Sequence, residues 1–273
     1  MKTRIISSIV IIGPMLVFVF FGGIPLLLFC LALSAIGMWE FYKGYAAEGV
    51  KAGKVGAFIL LAALYAIIGF GEFTELAPST YTHLIQMWVF GAVFLGLIMT
   101  LIRKDHNILD GSVTTIGLLY IGYFFAHLVL ISGIRRYHLM VWIVFIAAFG
   151  QDTFAYFTGY FLGKHKMAPN ISPKKTIEGA VGGVIGATVL CGLFGLIVFN
   201  DGDNIFLHCL IMGFFGAFFG MAGDLIASAF KRKMGIKDYG NLIPGHGGIL
   251  DRFDSVILVA PFVYYYILLF IRP

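Results

Sequence analysis

Apolar runs of roughly 20 residues recur along the whole sequence, and they constrain the fold more than any other feature. A helix of about 20 apolar residues crosses the roughly 30 Å of hydrocarbon in a lipid bilayer. Of the 273 residues, 60% are hydrophobic and 12% are charged, whereas soluble proteins average about 45 to 50% apolar and about 25% charged residues. The chain is therefore predicted to be an all-α, polytopic integral membrane protein.

The apolar runs, divided at glycine, proline and charged clusters, predict about nine transmembrane helices. The first is interpreted as a retained span, because no small-residue cleavage site follows its basic N-terminal flank. The predicted helices cover residues 4–21, 23–46, 53–71, 82–102, 113–133, 137–163, 176–199, 205–233 and 248–271.

The distribution of basic residues predicts the orientation of these helices. Of the 19 Lys and Arg residues, fifteen lie at one set of helix ends, Arg252 lies inside the last span, and the other ends hold only Arg135, Arg136 and Arg272. Cytoplasmic loops carry the excess of Lys and Arg in membrane proteins. We therefore expect an inner-membrane protein with a cytoplasmic N-terminus, a periplasmic C-terminus and an active site on the cytoplasmic side.

Small residues inside the spans are predicted to serve packing. Cys30, Cys191 and Cys209 lie in apolar runs without metal-ligand spacing, so we expect buried side chains and no disulfide framework. Glycines at four-residue spacing let membrane helices approach closely. Such pairs are Gly159 and Gly163, Gly179 and Gly183, Gly182 and Gly186, and Gly216 and Gly220.

Carboxylates inside or at the edge of spans are functional hypotheses by default, because hydrocarbon solvates charge poorly. Glu40 is open to two interpretations, since Lys43 lies three residues later and could pair with it on one helix face. A structural and a functional role for Glu40 are about equally supported. The full set is Glu40, Asp152, Glu178, Asp224, Asp251 and Asp254.

The last two predicted spans carry the densest polar pattern. Asp224, Ser228 and Lys231 share one helix face, and a face of the next helix carries Asp251, Asp254 and Ser255. A Pro- and Gly-containing connection predicts a hinge that returns the chain to the membrane. This hinge can bring the aspartates together as an all-oxygen cluster suited to Mg²⁺.

Two structural explanations compete with this hypothesis. Arg252 could pair with Asp251 or Asp254, and the basic cluster over residues 231–237 could bind anionic lipid headgroups. Headgroup binding does not require the aspartates, so the combination of acidic, basic and glycine residues favours phosphoryl or nucleotidyl transfer.

A second polar segment lies before the seventh predicted span. Ser172 is expected to be the N-cap of that helix, with Pro173 at its first position. Lys174 and Lys175 would then flank exposed amides of the kind that bind phosphates. A capped helix with two interfacial lysines explains this segment equally well.

The polar and glycine residues over 228–254 read Ser228, Lys231-Arg232, Lys237-Asp238, Pro244, His246-Gly247-Gly248, Asp251-Arg252 and Asp254. This pattern resembles the signature of the phosphatidate cytidylyltransferases, also called CDP-diacylglycerol synthases. The segment Ser172-Pro173-Lys174-Lys175-Thr176 with Glu178-Gly179 is similar to a second characteristic stretch of that family.

The resemblance implies a cation-dependent enzyme in which phosphatidic acid attacks CTP and releases pyrophosphate. It implies metal ligation by Asp224 and Asp251, with Asp254 as a less certain third ligand, for Mg²⁺ and a possible second cation. The expected partners are CTP, phosphatidic acid and membrane lipid, with no nucleic acid. A homodimer is one expected assembly of the chain. Residues 1–135 would hold about five spans, and residues 136–273 a catalytic region of about four.

Roles for the other polar residues follow from the charge of the substrates. Basic side chains are expected to neutralise the phosphates. His246 is expected to act as a hinge or phosphate contact rather than as a general base, because phosphatidate is already anionic. The catalytic candidates are Lys231, Arg232, Lys237 and His246 beside the two aspartates, and the substrate-binding candidates are Ser172, Lys174, Lys175, Ser228, Gly247, Gly248 and Arg252.

Two other classes of membrane protein share some of these features. A secondary transporter would place carboxylates such as Asp152 near the centres of broken helices and would show an inverted repeat. No repeat is evident in the sequence. A CTP-dependent polyprenol kinase would use similar metal chemistry, but the signature over residues 228–254 argues against it.

Overall fold

The computed structural model describes residues 13–73, 78–102, 107–199, 204–242 and 247–271. Eight of its helical segments are long and apolar enough to cross a membrane. Two short strands are the only sheet in this described part of the chain. The protein is therefore a polytopic, all-α membrane protein, as predicted.

The described residues form two compact units. The first unit comprises residues up to Gly133 and the segment Met234–Arg252. Its helices are residues 13–21 (α1), Gly23–Ala47 (α2), Lys54–Phe73 (α3), Pro78–Ile102 (α4), Ile108–Ile116 (α5), a π-helical segment Gly117–Tyr123 and Phe124–Ser132 (α6).

The second unit comprises Ile134–Lys233 and the chain from Phe253 onward. Helix α10 therefore begins in the first unit and continues in the second. The elements are the 3₁₀ helix Arg135–Met140, Val141–Leu162 (α7), strands Lys166–Ala168 (β1) and Ser172–Thr176 (β2), Ile177–Val198 (α8), Ile205–Lys233 (α9), Leu250–Tyr266 (α10) and the π-helical segment Ile267–Ile271.

The predicted spans agree with the helices to within a few residues. The last eight predicted spans each correspond to a long apolar helix, such as Ile205–Lys233 for residues 205–233. The first predicted span, residues 4–21, lies partly outside the described residues and is helical over 13–21. Cys30, Cys191 and Cys209 are buried and unpaired by disulfides, as expected for packing residues.

Close packing at the predicted glycines is confirmed in the second unit. A Cβ atom added at Gly159 on α7 would lie 3.6 Å from the Cα atom of Gly179 on α8. A Cβ atom added at Gly220 on α9 would lie 3.5 Å from the Cα atom of Ala148 on α7. The glycines therefore let helix backbones meet where larger side chains would hold them apart.

The predicted N-cap at Ser172 is wrong. Residues Ser172–Thr176 form strand β2, which pairs antiparallel with β1, and α8 begins only at Ile177. The N-cap is Thr176, whose Oγ1 accepts a hydrogen bond from the Gly179 N–H at 3.2 Å. Pro173 is tolerated because strand β2 has a single pairing partner, so it lies at a sheet edge.

Candidate functional site

A cavity of about 500 Å³ lies within the second unit, between α7, α8, α9 and the β-hairpin. Its wall combines carboxylates from the helices with lysines from the hairpin. The polar lining residues are Gln151, Asp152, Tyr156, Tyr160, Lys166, Lys174, Lys175, Thr176 and Asp224. Three of the predicted site residues, Lys174, Lys175 and Asp224, therefore share one cavity.

The β-hairpin is tied to the start of α8 by Glu178. This carboxylate accepts hydrogen bonds from the Lys164 N–H at 3.1 Å and the His165 N–H at 3.2 Å. The His165 Nδ1 atom lies 2.5 Å from the same carboxylate. On the other side, the Arg232 Nε atom donates to the Ile171 carbonyl at 3.4 Å. These contacts hold the hairpin, with Lys166, Lys174 and Lys175, over the cavity.

Lys175 forms an ion pair with Asp224 inside the cavity. The two side chains are 22% and 26% exposed, so the pair is largely shielded from bulk solvent. Ser228, one turn along α9, donates a hydrogen bond from Oγ to the Asp224 Oδ1 atom at 3.3 Å. The predicted face of Asp224 and Ser228 is thus confirmed, and Asp224 is linked directly to a predicted phosphate-binding lysine.

A second polar cluster in the same unit surrounds Asp254. This buried carboxylate accepts a hydrogen bond from the Ser255 N–H at 2.9 Å, and the Ser255 hydroxyl donates to the Asp152 Oδ2 atom at 3.0 Å. Asp254 also interacts electrostatically with Asp152, Asp224 and Lys231. Asp152 was not among the predicted site residues. A carboxylate inside a span is itself a sign of a functional site, so the sequence did contain evidence for this residue.

Within the first unit, Asp251 binds the connection that precedes α10. Its Oδ2 atom accepts hydrogen bonds from the Tyr239 N–H at 2.8 Å and the Gly248 N–H at 2.9 Å. Gly247 has a φ of 86°, a conformation that favours glycine. Asp251, Gly247 and Gly248 are therefore brought together as one turn at the start of the helix.

Glu40 has a different partner from the one that its spacing suggested. Its carboxylate accepts hydrogen bonds from the backbone amides of Ile249 and Leu250, while the Lys43 ammonium lies 5.0 Å from the centre of the Trp39 ring. This contact could not be read from the sequence, because 209 residues separate Glu40 from Ile249.

The remaining predicted site residues are distributed between the two units. Lys231 and Arg232 lie in the last turn of α9 in the second unit, and Lys237 is exposed in the connection of the first unit. The Arg252 Nε atom is buried and lacks a hydrogen-bond partner in the described part of the chain. His246 lies outside the described residues.

The predicted metal ligands have the chemistry that Mg²⁺ prefers, because carboxylate oxygens are its usual protein donors. The ammonium of Lys175 sits against Asp224, so this carboxylate already binds a cationic group. No group of three or more His, Cys, Asp or Glu side chains is close enough to hold a metal ion within the residues that the structure describes. The metal site therefore stays a prediction.

Comparison with known proteins gives one consistent family. The sequence model described as "Cytidylyltransferase family" matches residues 2–270. A protein of Bacillus subtilis (strain 168) named phosphatidate cytidylyltransferase is 32% identical over 99% of this chain and 98% of its own. Proteins of the same name from Staphylococcus haemolyticus and Staphylococcus aureus (strain COL) are 32% and 31% identical, each over 96% of both chains.

Proposed function

Because this chain belongs to the cytidylyltransferase family, we propose that it is a phosphatidate cytidylyltransferase, the activity for which its relatives are named. It transfers CMP from CTP to phosphatidic acid and forms CDP-diacylglycerol and pyrophosphate. The observation that carries the proposal is the cavity in which Lys174, Lys175 and Asp224 meet. The predicted second characteristic stretch and the face of α9 both contribute to this one cavity.

The reaction exchanges one phosphorus–oxygen bond for another. A phosphate oxygen of phosphatidic acid attacks the α-phosphorus of CTP, and the bond from that phosphorus to the oxygen bridging the β-phosphate breaks. The electron pair leaves with pyrophosphate. Because the attacking phosphate is already anionic, no strong general base is required. The main task of the protein is to orient the groups and to stabilise negative charge.

The hairpin lysines supply that stabilisation in this proposal. Lys174 and Lys175 line the cavity, and Asp224 holds the Lys175 ammonium in place before substrate binds. A cation oriented in advance needs little reorganisation when charge develops on the leaving pyrophosphate. Lys231, Arg232 and Lys237 are proposed to contact phosphates of the two substrates, with Ser172, Ser228, Gly247, Gly248 and Arg252 as further substrate contacts.

Mg²⁺ is the proposed cofactor, with Asp224, Asp251 and Asp254 as its ligands and a second cation as a possible addition. When bound, Mg²⁺ would neutralise phosphate charge and polarise the phosphoryl oxygens. Asp251 and Asp254 are three residues apart on α10, so they lie on one face of that helix. This assignment is supported by the donor chemistry and by the family signature.

The activity test uses purified full-length protein with CTP, phosphatidic acid and Mg²⁺. Pyrophosphate and CDP-diacylglycerol should appear in equal amounts, and chelation of the metal with EDTA should stop the reaction until Mg²⁺ is restored. Controls omit the lipid or replace CTP with UTP. Release of CDP instead of pyrophosphate would indicate a CTP-dependent lipid kinase. Nucleotide consumption without the lipid would contradict the proposed transfer.

The proposed location is the inner membrane, with the N-terminus and the basic helix ends in the cytoplasm. This orientation rests on the excess of Lys and Arg at one set of helix ends. Single cysteines placed at Lys237 and at Arg136 in a cysteine-free variant test it. An impermeant maleimide added to intact spheroplasts should label the cysteine at 136 and leave the one at 237 unlabelled. The reverse labelling pattern would invert the topology.

A further inference from the structure

Glu40 on α2 binds the first turn of α10 within the first unit. Its Oε1 atom accepts a hydrogen bond from the Ile249 N–H at 3.1 Å, and its Oε2 atom accepts one from the Leu250 N–H at 2.9 Å. The residue is only 2% exposed. Amides in the first turn of a helix have no intrahelical acceptor. The residues just before Leu250 are Gly247, Gly248 and Ile249, which offer no side-chain cap.

Asp251 binds the same turn from the other side. Its Oδ2 atom accepts the hydrogen bond of the Gly248 N–H, so three consecutive amides, those of Gly248, Ile249 and Leu250, are held by two carboxylates. A shift of this short backbone segment would also move the Asp251 carboxylate. The position of Asp251 therefore depends on Glu40 through a chain of directional hydrogen bonds.

Two glycines leave space for the Glu40 carboxylate. A Cβ atom added at Gly240 would lie 2.6 Å from its Oε1 atom, and a Cβ atom added at Gly248 would lie 2.5 Å from its carboxyl carbon. Real Cβ atoms do not approach other atoms so closely. Glycine at these two positions of the connection is thus required by the buried carboxylate on α2 as well as by the turn itself.

Neighbouring charges act on the two carboxylates at this turn. Glu40 and Asp251 repel each other, and Lys43 attracts Glu40. The positive end of the α10 helix dipole attracts both carboxylates. Backbone amides donate hydrogen bonds to both carboxylates and hold them in place.

We infer that Glu40 is a positioning residue for Asp251, which it orients through the Gly248–Leu250 backbone. The inference rests on the proposed cytidylyl transfer, in which Asp251 is a metal ligand. Glu40 itself touches neither substrate nor metal in this assignment. Residues that orient a ligand in this way typically change metal affinity or activity by about 10- to 100-fold when they are replaced.

The kinetic test is Glu40→Gln in the full-length protein. The Gln side chain keeps the shape of Glu, but its carboxamide has only one oxygen. Its NH2 group faces one of the two backbone N–H donors, so one hydrogen bond is lost. We expect kcat for pyrophosphate release to fall about 10- to 100-fold, with an increased Mg²⁺ requirement and a KM for CTP changed by no more than about twofold. The matched control is Glu48→Gln, which removes the same charge from an exposed site at the end of α2 and should behave like the parent protein.

Amide hydrogen exchange provides a readout that needs no turnover. In Glu40→Gln, the peptide that covers residues 247–252 should exchange faster than in the parent protein, and in Glu48→Gln its exchange should be unchanged. Faster exchange there with normal kcat and a normal Mg²⁺ requirement would show a purely structural cap and would overturn the inference. Unchanged exchange would overturn the hydrogen-bonding role itself.

Gly240→Ala is the second variant if Glu40→Gln fails to fold. The added methyl group displaces the Glu40 carboxylate while leaving its charge, and kcat should again fall by about 10-fold or more. Parental kcat and Mg²⁺ requirement in Gly240→Ala would refute the positioning role. If the parent protein itself releases no pyrophosphate, the proposed function fails, whereas the exchange comparison still tests whether Glu40 holds the turn.

Discussion

Asp224→Asn is expected to lower kcat/KM for pyrophosphate release by about 10³-fold, which corresponds to about 4 kcal/mol of transition-state stabilisation. Asn has nearly the same size and can still accept the hydrogen bond of the Ser228 hydroxyl. It lacks the charge that holds the Lys175 ammonium and that attracts a divalent cation. The measurement is a coupled pyrophosphate assay on purified protein across a range of Mg²⁺ concentrations.

The controls for Asp224→Asn must distinguish a loss of catalysis from a loss of folded protein. Glu48→Gln removes a carboxylate from an exposed position and should retain parental turnover. Thermal unfolding in detergent should show that Asp224→Asn is folded. A folded Asp224→Asn variant with turnover close to that of the parent would remove Asp224 from the proposed site.

Asp251→Asn is expected to cause a loss of about 10²- to 10³-fold in kcat/KM while the first turn of α10 stays intact. The Asn carbonyl oxygen can replace Oδ2 as acceptor for the amides of Tyr239 and Gly248. The substitution therefore removes the charge but keeps the contacts. Measurements of kcat/KM and of amide hydrogen exchange over residues 247–252 distinguish the contribution of the charge from that of the hydrogen bonds.

Asp251→Ala serves as the comparison, because it removes both the charge and the hydrogen bonds. It should lose activity and also increase exchange in the turn, since two buried amides lose their acceptor. If Asp251→Asn has the kcat/KM of the parent protein and only Asp251→Ala has a lower one, Asp251 is a helix cap and the metal assignment is wrong.

The positions of the helices were predictable because a span must be long and apolar to cross hydrocarbon. This requirement is local, so residues 205–233 could be assigned as a helix without knowledge of any neighbour. The close approach of glycine-bearing helices was predictable for a similar reason. The shared face of Asp224 and Ser228 followed from helical periodicity alone, and the structure adds the hydrogen bond between them.

The N-cap of α8 was predicted wrongly because two local patterns competed. Ser172 followed by Pro173 has the composition of a helix start. The structure instead pairs residues 172–176 with β1, and Thr176 caps the helix. Strand pairing depends on a second segment of chain, which propensity at a single position does not report.

The sequence by itself determined the membrane-spanning helices, the polar faces of α9 and α10 and the family signature that names the chemistry. Each of these is a property of neighbouring residues or of a helical repeat. Only the tertiary structure decided that Glu40 binds the amides of Ile249 and Leu250, and that the Ser255 hydroxyl donates to Asp152. These partners are separated by more than 100 residues. Helix packing brings them together, and the local pattern around either partner contains no information about the other.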